Sequence, residues 1–422
     1  MTTPQQPRRK SVRALAWEGL QRWSRGGIFA ETIVARAARQ CELSHADRAL
    51  LQAILYGTIR QLSWLDHLRL RLRPGKLEDS LRWLVLMGLC QLYVMHQAEH
   101  AAVCETVELA PKRARGVVNG ILRNAIRRRA EFQEEFPTLP PAVRYSCPPW
   151  LAERWARDFG EQAACAIMEW NTLQAPLYAR VNPSNPPVPI PRDWEPLPDI
   201  PGWFRINGPV PQQDVDAGRV YMADPSTRHC VEMLAPLPGE RVLDACAAPG
   251  GKSVAMLQAT GGKLDLLATD AQEHRFPALQ QNLLRAAGHD VPVKLFDWTQ
   301  PCPQDWRGAF NAVLLDVPCS NTGVLQRRVD ARWRLSAGEI TRLATLQRQI
   351  LENACAAVAP GGRLVYSTCS IDAEEDAAVV QSFLSSHPDF TLERDHLALP
   401  HIEHADGAYA ALLRRADTRQ SS

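Results

Sequence analysis

Two cysteines follow apolar runs directly: Cys319 in "LLDVPCSNTG" and Cys369 in "LVYSTCS". A cysteine nucleophile needs a thiolate and partial exposure, which a loop at the edge of a sheet provides. In an open α/β sheet, ligands bind outside the carboxyl ends of the strands, where both cysteines would fall. Two thiols at adjacent strand ends can serve one reaction. Carbon 5 of a pyrimidine is a poor nucleophile. A thiolate adding at carbon 6 turns the ring into an enamine, and its carbon 5 can then attack a methyl sulfonium. A base removes the carbon-5 proton so that the thiol can leave. One cysteine as nucleophile and one aiding release would account for the pair.

A second group of residues could hold the methyl donor. "VLDACAAPGGKS" follows an apolar run and opens a helical pattern, and its small residues allow close backbone approach. A nucleoside triphosphate loop would need its first glycine at the position of Cys246. The dinucleotide pattern G-x-G-x-x-G is also absent, and no hydride-transfer partner is evident. S-adenosylmethionine, which carries no phosphate, fits better. The candidate contacts are Cys246, Ala247, Ala248, Pro249, Gly250, Gly251 and Lys252, with three aspartates at successive strand ends. Asp270, 20 residues beyond Gly250, is placed for the ribose hydroxyls. Asp297 is placed for the adenine amine, and Asp316 ends the next run. Single aspartates in such places merely cap helices; three around one glycine loop favour a nucleoside. Asp316 and the Pro318 carbonyl could also accept the hydrogens of a flipped cytosine, where uracil would set acceptor against acceptor. Arg327, Arg328, Arg332 and Arg334 follow and could hold flanking phosphates, or form a solvated face.

These loops need a sheet to position them. From about residue 220, "RVLDAC", "LDLLATD", "VPVKLFD", "AVLLDVP" and "RLVYSTC" alternate with helical stretches, which predicts a parallel, doubly wound Rossmann-like sheet. Residues 8–132 read differently. Val12, Leu15, Ala16 and Leu20 share one face, as do Leu50, Ile54, Leu55 and Ile59, so an all-α bundle is expected. Arginines gather at Arg69/Arg71/Arg73, Lys112/Arg113/Arg115 and Arg127 to Arg129. Between the two regions, residues 133–219 read as a linker, a short helix at 150–171 and a small connecting subdomain. The proline-rich tract 183–201 reads as an extended surface loop. The catalytic domain is expected over 220–416.

Bulk properties limit the classes. A chain of 422 residues is too long for one core. The start, "MTTPQQPRRK", shows no apolar core of a secretory signal, and no apolar run reaches membrane-spanning length, so a cytoplasmic protein is expected. The eleven cysteines include no C-x-x-C pair, and no metal is expected. The net charge of +2 hides an asymmetry: residues 1–130 hold 22 Lys+Arg against 10 Asp+Glu, and the remainder balances to −10. A basic half beside an acidic half points to a polyanion partner.

"DACAAPGGKS", "LLDVPCSNTG" and "YSTCS" resemble the consecutive motifs of RNA 5-methylcytosine methyltransferases of the Fmu/Sun type. "DRALLQAILYGTIRQ", "HAAVCETVELA" and "RGVVNGILRNAIRR" resemble the NusB-like RNA-binding domain fused to its bacterial ribosomal members, the RsmB group. The resemblance covers nearly the whole chain. It implies S-adenosylmethionine-dependent methylation of a cytosine in small-subunit ribosomal RNA; the RNA is expected free or partly assembled, and the protein is expected to be a monomer, though the sequence itself does not give the oligomeric state. It implies Cys369 as the nucleophile and Cys319 as the group assisting release. The chain departs from the family at Val317 and Asn321 in the first cysteine motif, at "QRRVD", at Ala408 and in the proline tract. A rival reading is an RNA-binding ribosome-assembly factor with a degenerate catalytic domain. Intact Cys319, Cys369 and Asp316 weigh against it.

Overall fold

A computed structural model describes residues 10–183 and 189–417. Residues 184–188 of the proline tract lie outside the described residues. The chain divides into two compact units. One contains residues up to Gln174 together with Leu325–Arg334; the other contains Ala175–Val324 and Leu335 onward.

The first unit is helical, as its 3.6-residue periodicity predicts. Its central helix, Asp79–Tyr93, buries every residue from Trp83 to Leu92. A helix apolar on all sides can only be a core element. Around it pack Val12–Ser24, His45–Arg60, Glu99–Leu109 and Arg115–Arg127. Leu15, Ala16 and Leu20 are buried as expected, and so are Ile54, Leu55 and Ile59. Ser11 and Ser44 cap two of these helices by accepting from Ala14 N and Asp47 N. The stretch expected as one helix at 150–171 is two, Pro149–Phe159 and Glu161–Trp170. They are broken by Gly160 at φ 82°.

The segment Leu325–Arg334 is built into this helical unit. Asp330 Oδ2 accepts from Ala30 N at 2.8 Å and so caps the helix Ala30–Gln40. Val329 joins the helical core, and Trp333 Nε1 donates to Ile59 O at 2.9 Å. Arg332 is fully buried, donating to the carbonyls of Ser146, Asn171 and Leu325. Arg334 donates to Ile28 O and covers the Phe29 ring. Arg332 and Arg334 are therefore structural cations, which neither of the two readings, phosphate contact or solvated face, describes.

The second unit carries two sheets. The smaller has strands β1 (Leu177–Val181), β2 (Trp194–Pro196), β3 (Trp203–Ile206) and β4 (Val220–Met222), ordered β2-β3-β1-β4. β2 falls on the proline-rich tract read as loop, and β3 begins just past it. β2 is a short edge strand, a place where proline is tolerated.

The larger sheet has β5 (Arg241–Asp244), β6 (Asp265–Asp270), β7 (Val293–Leu295), β8 (Phe310–Asp316), β9 (Val358–Thr368), β10 (Phe390–Ala398) and β11 (Ala408–Arg415). Their order is β10-β11-β9-β8-β5-β6-β7. The five strands read from the sequence pair in parallel. β10 and β11 add an antiparallel edge, so the sheet is mixed. Ala312–Leu315 of β8 and Leu364–Thr368 of β9 are buried throughout, as strand segments covered on both faces must be. The order reverses at β5, next to β8. Chain ends leaving β5, β8 and β9 therefore converge on one crevice.

Candidate active site

The loops after β8 and β9 bring two thiols together. Cys319 Sγ and Cys369 Sγ lie 3.1 Å apart. Cys369 is the more accessible; Cys319 is buried. The hydrogen bond to Cys369, then burial, pushes the Cys319 thiol well above its ordinary value. Cys319 therefore holds its proton beside Cys369.

Asn321 completes this arrangement. Its backbone sits at φ 64°, a left-handed conformation that asparagine tolerates better than most residues. Its amide Nδ2 donates to Cys319 O at 2.8 Å, and its Oδ1 accepts from Cys369 Sγ at 3.2 Å. The departure at Asn321 thus adds a polar contact to the pair.

Buried hydrogen bonds lock the two loops to one another. Gly323 N donates to Cys369 O at 3.0 Å, and Val317 N to Ser367 O at 3.1 Å. Thr322 Oγ1 donates to Asp372 Oδ2 at 2.6 Å and accepts from Ile371 N. Glu375 accepts from Ser320 N and Gln347 Nε2, each at 2.9 Å, and from Ser320 Oγ. Burial raises the Glu375 carboxyl, opposed by hydrogen bonds from Ser320, Ser370 and Gln347. Gln347 also donates to Pro318 O at 3.0 Å, which leaves that carbonyl one further lone pair. Glu375 and Gln347 were not singled out in the sequence. "AEEDAA" showed the acids, but only burial distinguishes Glu375 from a solvated helix start.

Lys252 and Asp316 form an ion pair at 2.6 Å beside this loop. Burial pulls the Lys252 ammonium down, but Asp316 together with Cys230 and Cys369 more than offsets it and keeps it charged. Asp316 Oδ1 also accepts from Ser367 Oγ at 3.1 Å. A lysine engaged in this way is not presented to a triphosphate.

The loop Cys246–Lys252 links β5 to the helix Gly251–Ala259. Gly250 has φ 106°, and a Cβ there would stand 2.9 Å from Leu279 Cδ1, so glycine is required. Ala247 N donates to Thr269 O at 2.8 Å, Ala248 N to Asp270 Oδ2 at 3.1 Å, and Asn282 Nδ2 to Pro249 O at 2.9 Å. Asp270, at the end of β6, also accepts from Gln272 N and Arg275. It therefore organises the loop as well as facing it. Burial, then the carboxylates of Asp244, Asp316 and Asp270, pushes the Cys246 thiol well up. Asp297 lies two residues past β7, and its Oδ1 accepts from Thr299 N at 2.9 Å, a local cap. Sequence reading passed over Asp244, in the same "VLDAC" run. Its Oδ2 accepts from Ser253 Oγ at 2.5 Å, while Oδ1 is buried without a partner. Burial raises its carboxyl to about 7.

Comparison with known proteins places this site in a family. Residues 231–414 match the family described as 16S rRNA methyltransferase RsmB/F, and residues 10–127 match the NusB family. A relative named Ribosomal RNA small subunit methyltransferase B from Salmonella arizonae is 35% identical over 404 residues, covering 89% of this chain and 92% of the relative. Its namesake from Cronobacter sakazakii is 33% identical over 440 residues, covering 96% and 99%. The chain belongs to the RsmB/F family.

The fold agrees. The crystal structure titled PH0851 superposes with a TM-score of 0.76 at 22% identity, covering 98% of this chain and 100% of that one. As an RsmB/F member, the protein is a ribosomal RNA methyltransferase, and S-adenosylmethionine is its methyl donor. The residues present fit that donor. The loop has glycine where the chain must turn, Lys252 is committed to Asp316, and Asp244 Oδ1 is a buried acceptor without a partner. Among the described residues, no helix is long and apolar enough to cross a membrane.

Proposed function

We propose that the protein methylates carbon 5 of a cytosine in small-subunit ribosomal RNA through a covalent Cys369–carbon 6 adduct. The 3.1 Å approach of Cys319 to Cys369 carries the reading. S-adenosylmethionine, held by Cys246 to Lys252 with Asp270 and Asp297, supplies an electrophilic methyl on a sulfonium.

The chain's own residues do the rest. Cys369, the more exposed thiol, adds to carbon 6 as a thiolate while Cys319 keeps its proton. Asp316 and the Pro318 carbonyl accept the ring hydrogens with the lone pairs that Lys252, Ser367 and Gln347 leave open. Addition makes carbon 5 nucleophilic. After transfer, a base takes the carbon-5 proton, the electrons of that bond restore the carbon 5–carbon 6 double bond, and the carbon–sulfur bond breaks with its electrons returning to Cys369. Cys319 assists that release.

In this reading, residues 8–132 hold RNA, 133–219 connect, and 220–416 catalyse. Support comes from a cavity of about 950 Å³ in the helical unit. Arg60 and Arg129 line it together with Tyr56, Trp64, Tyr93 and Phe136. Cations and aromatic rings together suit unpaired nucleotides. Several arginines of the basic clusters are used within the protein: Arg69 on Asp66, Arg71 on Glu131 and Glu135, Arg128 on Glu131. Lys112, Arg113 and Arg127 remain exposed. Bisulfite sequencing of ribosomal RNA from a deletion strain tests the whole reading. Loss of one protected cytosine, restored by the wild-type gene, is expected. An unchanged bisulfite pattern rejects it.

A further inference from the structure

Two imidazoles and a carboxylate meet far along the chain from the cysteine motifs. His229 lies on the helix Arg228–Leu234, His396 on β10, and Glu403 on the short helix Pro400–Glu403. His229 Nε2 stands 2.8 Å from Glu403 Oε2, and His396 Nε2 stands 2.6 Å from Glu403 Oε1. The two rings are 4.5 Å apart, inclined at 45°. Among the described residues, this is the group of three whose donor atoms all fall within 4.8 Å of one another.

We propose that His229, His396 and Glu403 form a structural site for one divalent, imidazole-seeking metal ion such as Zn2+. Two nitrogens and one oxygen suit zinc, with a water in the fourth position. His396, with 41% of its side chain exposed, leaves a path for that water and for the ion. Zinc bonds of roughly 2.0–2.1 Å at tetrahedral angles set ligand atoms about 3.4 Å apart. To admit the ion, the 2.8 Å and 2.6 Å contacts would each open by less than an ångström, and any donor pair as far apart as 4.8 Å would close towards the same separation. The Nε2 lone pairs then face the metal, and each ring proton moves to Nδ1.

The location gives the ion a purpose. The chain continues from Glu403 through a turn with His404 at φ 52°, whose carbonyl accepts from Tyr178 Oη at 2.7 Å. It then reaches Gly407, whose N donates to Gly323 O at 2.8 Å. A Cβ on Gly323 would stand 2.2 Å from Gly407 O, so the two backbones touch. Gly323 in turn donates to Cys369 O. The ion would clip the turn that braces the cysteine loops.

The test uses tag-free, full-length protein stripped with a chelator and titrated with Co2+, then competed with Zn2+. One Co2+ per chain with visible ligand-field bands and no thiolate charge-transfer band is expected. Removing even an outer-shell partner weakens metal sites 10–100-fold, so His396→Gln and Glu403→Gln should each weaken binding by at least about 100-fold. Zinc should raise the melting temperature of the wild type and not of either variant. His396 is half-exposed, so His396→Gln should keep its circular dichroism and its affinity for S-adenosylmethionine. Absence of stoichiometric binding, wild-type affinity in both variants, or a thiolate band placing the ion on cysteines would each overturn the site.

Discussion

Cys319 Sγ and Cys369 Sγ lie 3.1 Å apart although 50 residues separate them in the chain. The two motifs meet because β8 and β9 are parallel neighbours in register, Asp316 opposite Ser367. Each strand ends there and its loop turns into the same crevice. The same pairing sets Asp316 against Ser367, and Lys252 from the loop after β5 reaches Asp316, so the loops after β5, β8 and β9 meet at one charged group.

That shared group gives a first prediction. Lys252→Met leaves Asp316 half-buried without its cation, and Asp316→Asn leaves Lys252 so. A hydrogen bond between charged groups contributes about 1.5–3 kcal/mol, and each single substitution should cost about that in urea denaturation. The double substitution should cost less than the sum, because neither charge is left alone. Methylation should fall with every variant. Additive losses of stability would show that the pair is not coupled.

Asp270 both fixes the cofactor loop and faces it. Asp270→Ala removes the acceptor of Ala248 N and the expected partner of the ribose. Calorimetry should show affinity for S-adenosylmethionine falling by about tenfold or more, the equivalent of roughly 1.5–3 kcal/mol. Asp270→Asn keeps an acceptor and should lose less. Equal affinity in the wild type and Asp270→Ala would remove the assignment.

Asp244 makes stability depend on pH. Its folded carboxyl titrates at about 7 against an ordinary value of 3.8. The unfolded chain therefore releases this proton first. The contribution of the protonated form is complete below about pH 4 and is lost as pH rises towards 7. Relative to Asp244→Asn, the wild type should lose stability across that window and then level off. A constant difference from pH 4 to 8, measured by thermal melts, would show that burial does not raise this carboxyl.

The excursion Leu325–Arg334 should matter to the helical unit. Arg332 satisfies three buried carbonyls, and Arg332→Ala would leave them and a cavity. A loss of about 3 kcal/mol or more is expected, since each unsatisfied group costs about 1–3 kcal/mol. Asp330→Ala removes only a helix cap and should cost about 1 kcal/mol. Urea unfolding of both variants checks the ranking.

Some of this was legible from the sequence and some was not, for physical reasons. Cys319, Cys369, Asp270, Asp316 and the glycine loop lie in short motifs beside apolar strands, where local pattern and chemistry coincide. β10 hides because "FTLERDHLA" is an exposed edge strand whose interior positions are almost all solvated. Arg332 looked like part of a surface charge run. Its burial follows from a segment of the catalytic half entering the helical unit, and no local pattern records that. Asp244 and Glu375 were visible as acids; only tertiary burial raises their carboxyls.

The two thiols should fail differently when removed. The hydrogen bond to Cys369, then burial, keeps Cys319 protonated, and Cys369 is the more exposed thiol, so Cys369 is the group placed to add. Cys369→Ala should form no covalent bond to RNA and give no 5-methylcytosine. Cys319→Ala still adds and transfers the methyl, but lacks the neighbour that assists elimination. It should accumulate a protein–RNA adduct that survives denaturing electrophoresis. Adding Cys369→Ala to that variant should abolish the adduct. Asn321→Gly keeps the left-handed backbone and removes only the amide contacts. It should slow turnover without trapping RNA. An adduct in Cys369→Ala and none in Cys319→Ala would reverse the roles. No adduct in either would discard the two-thiol mechanism.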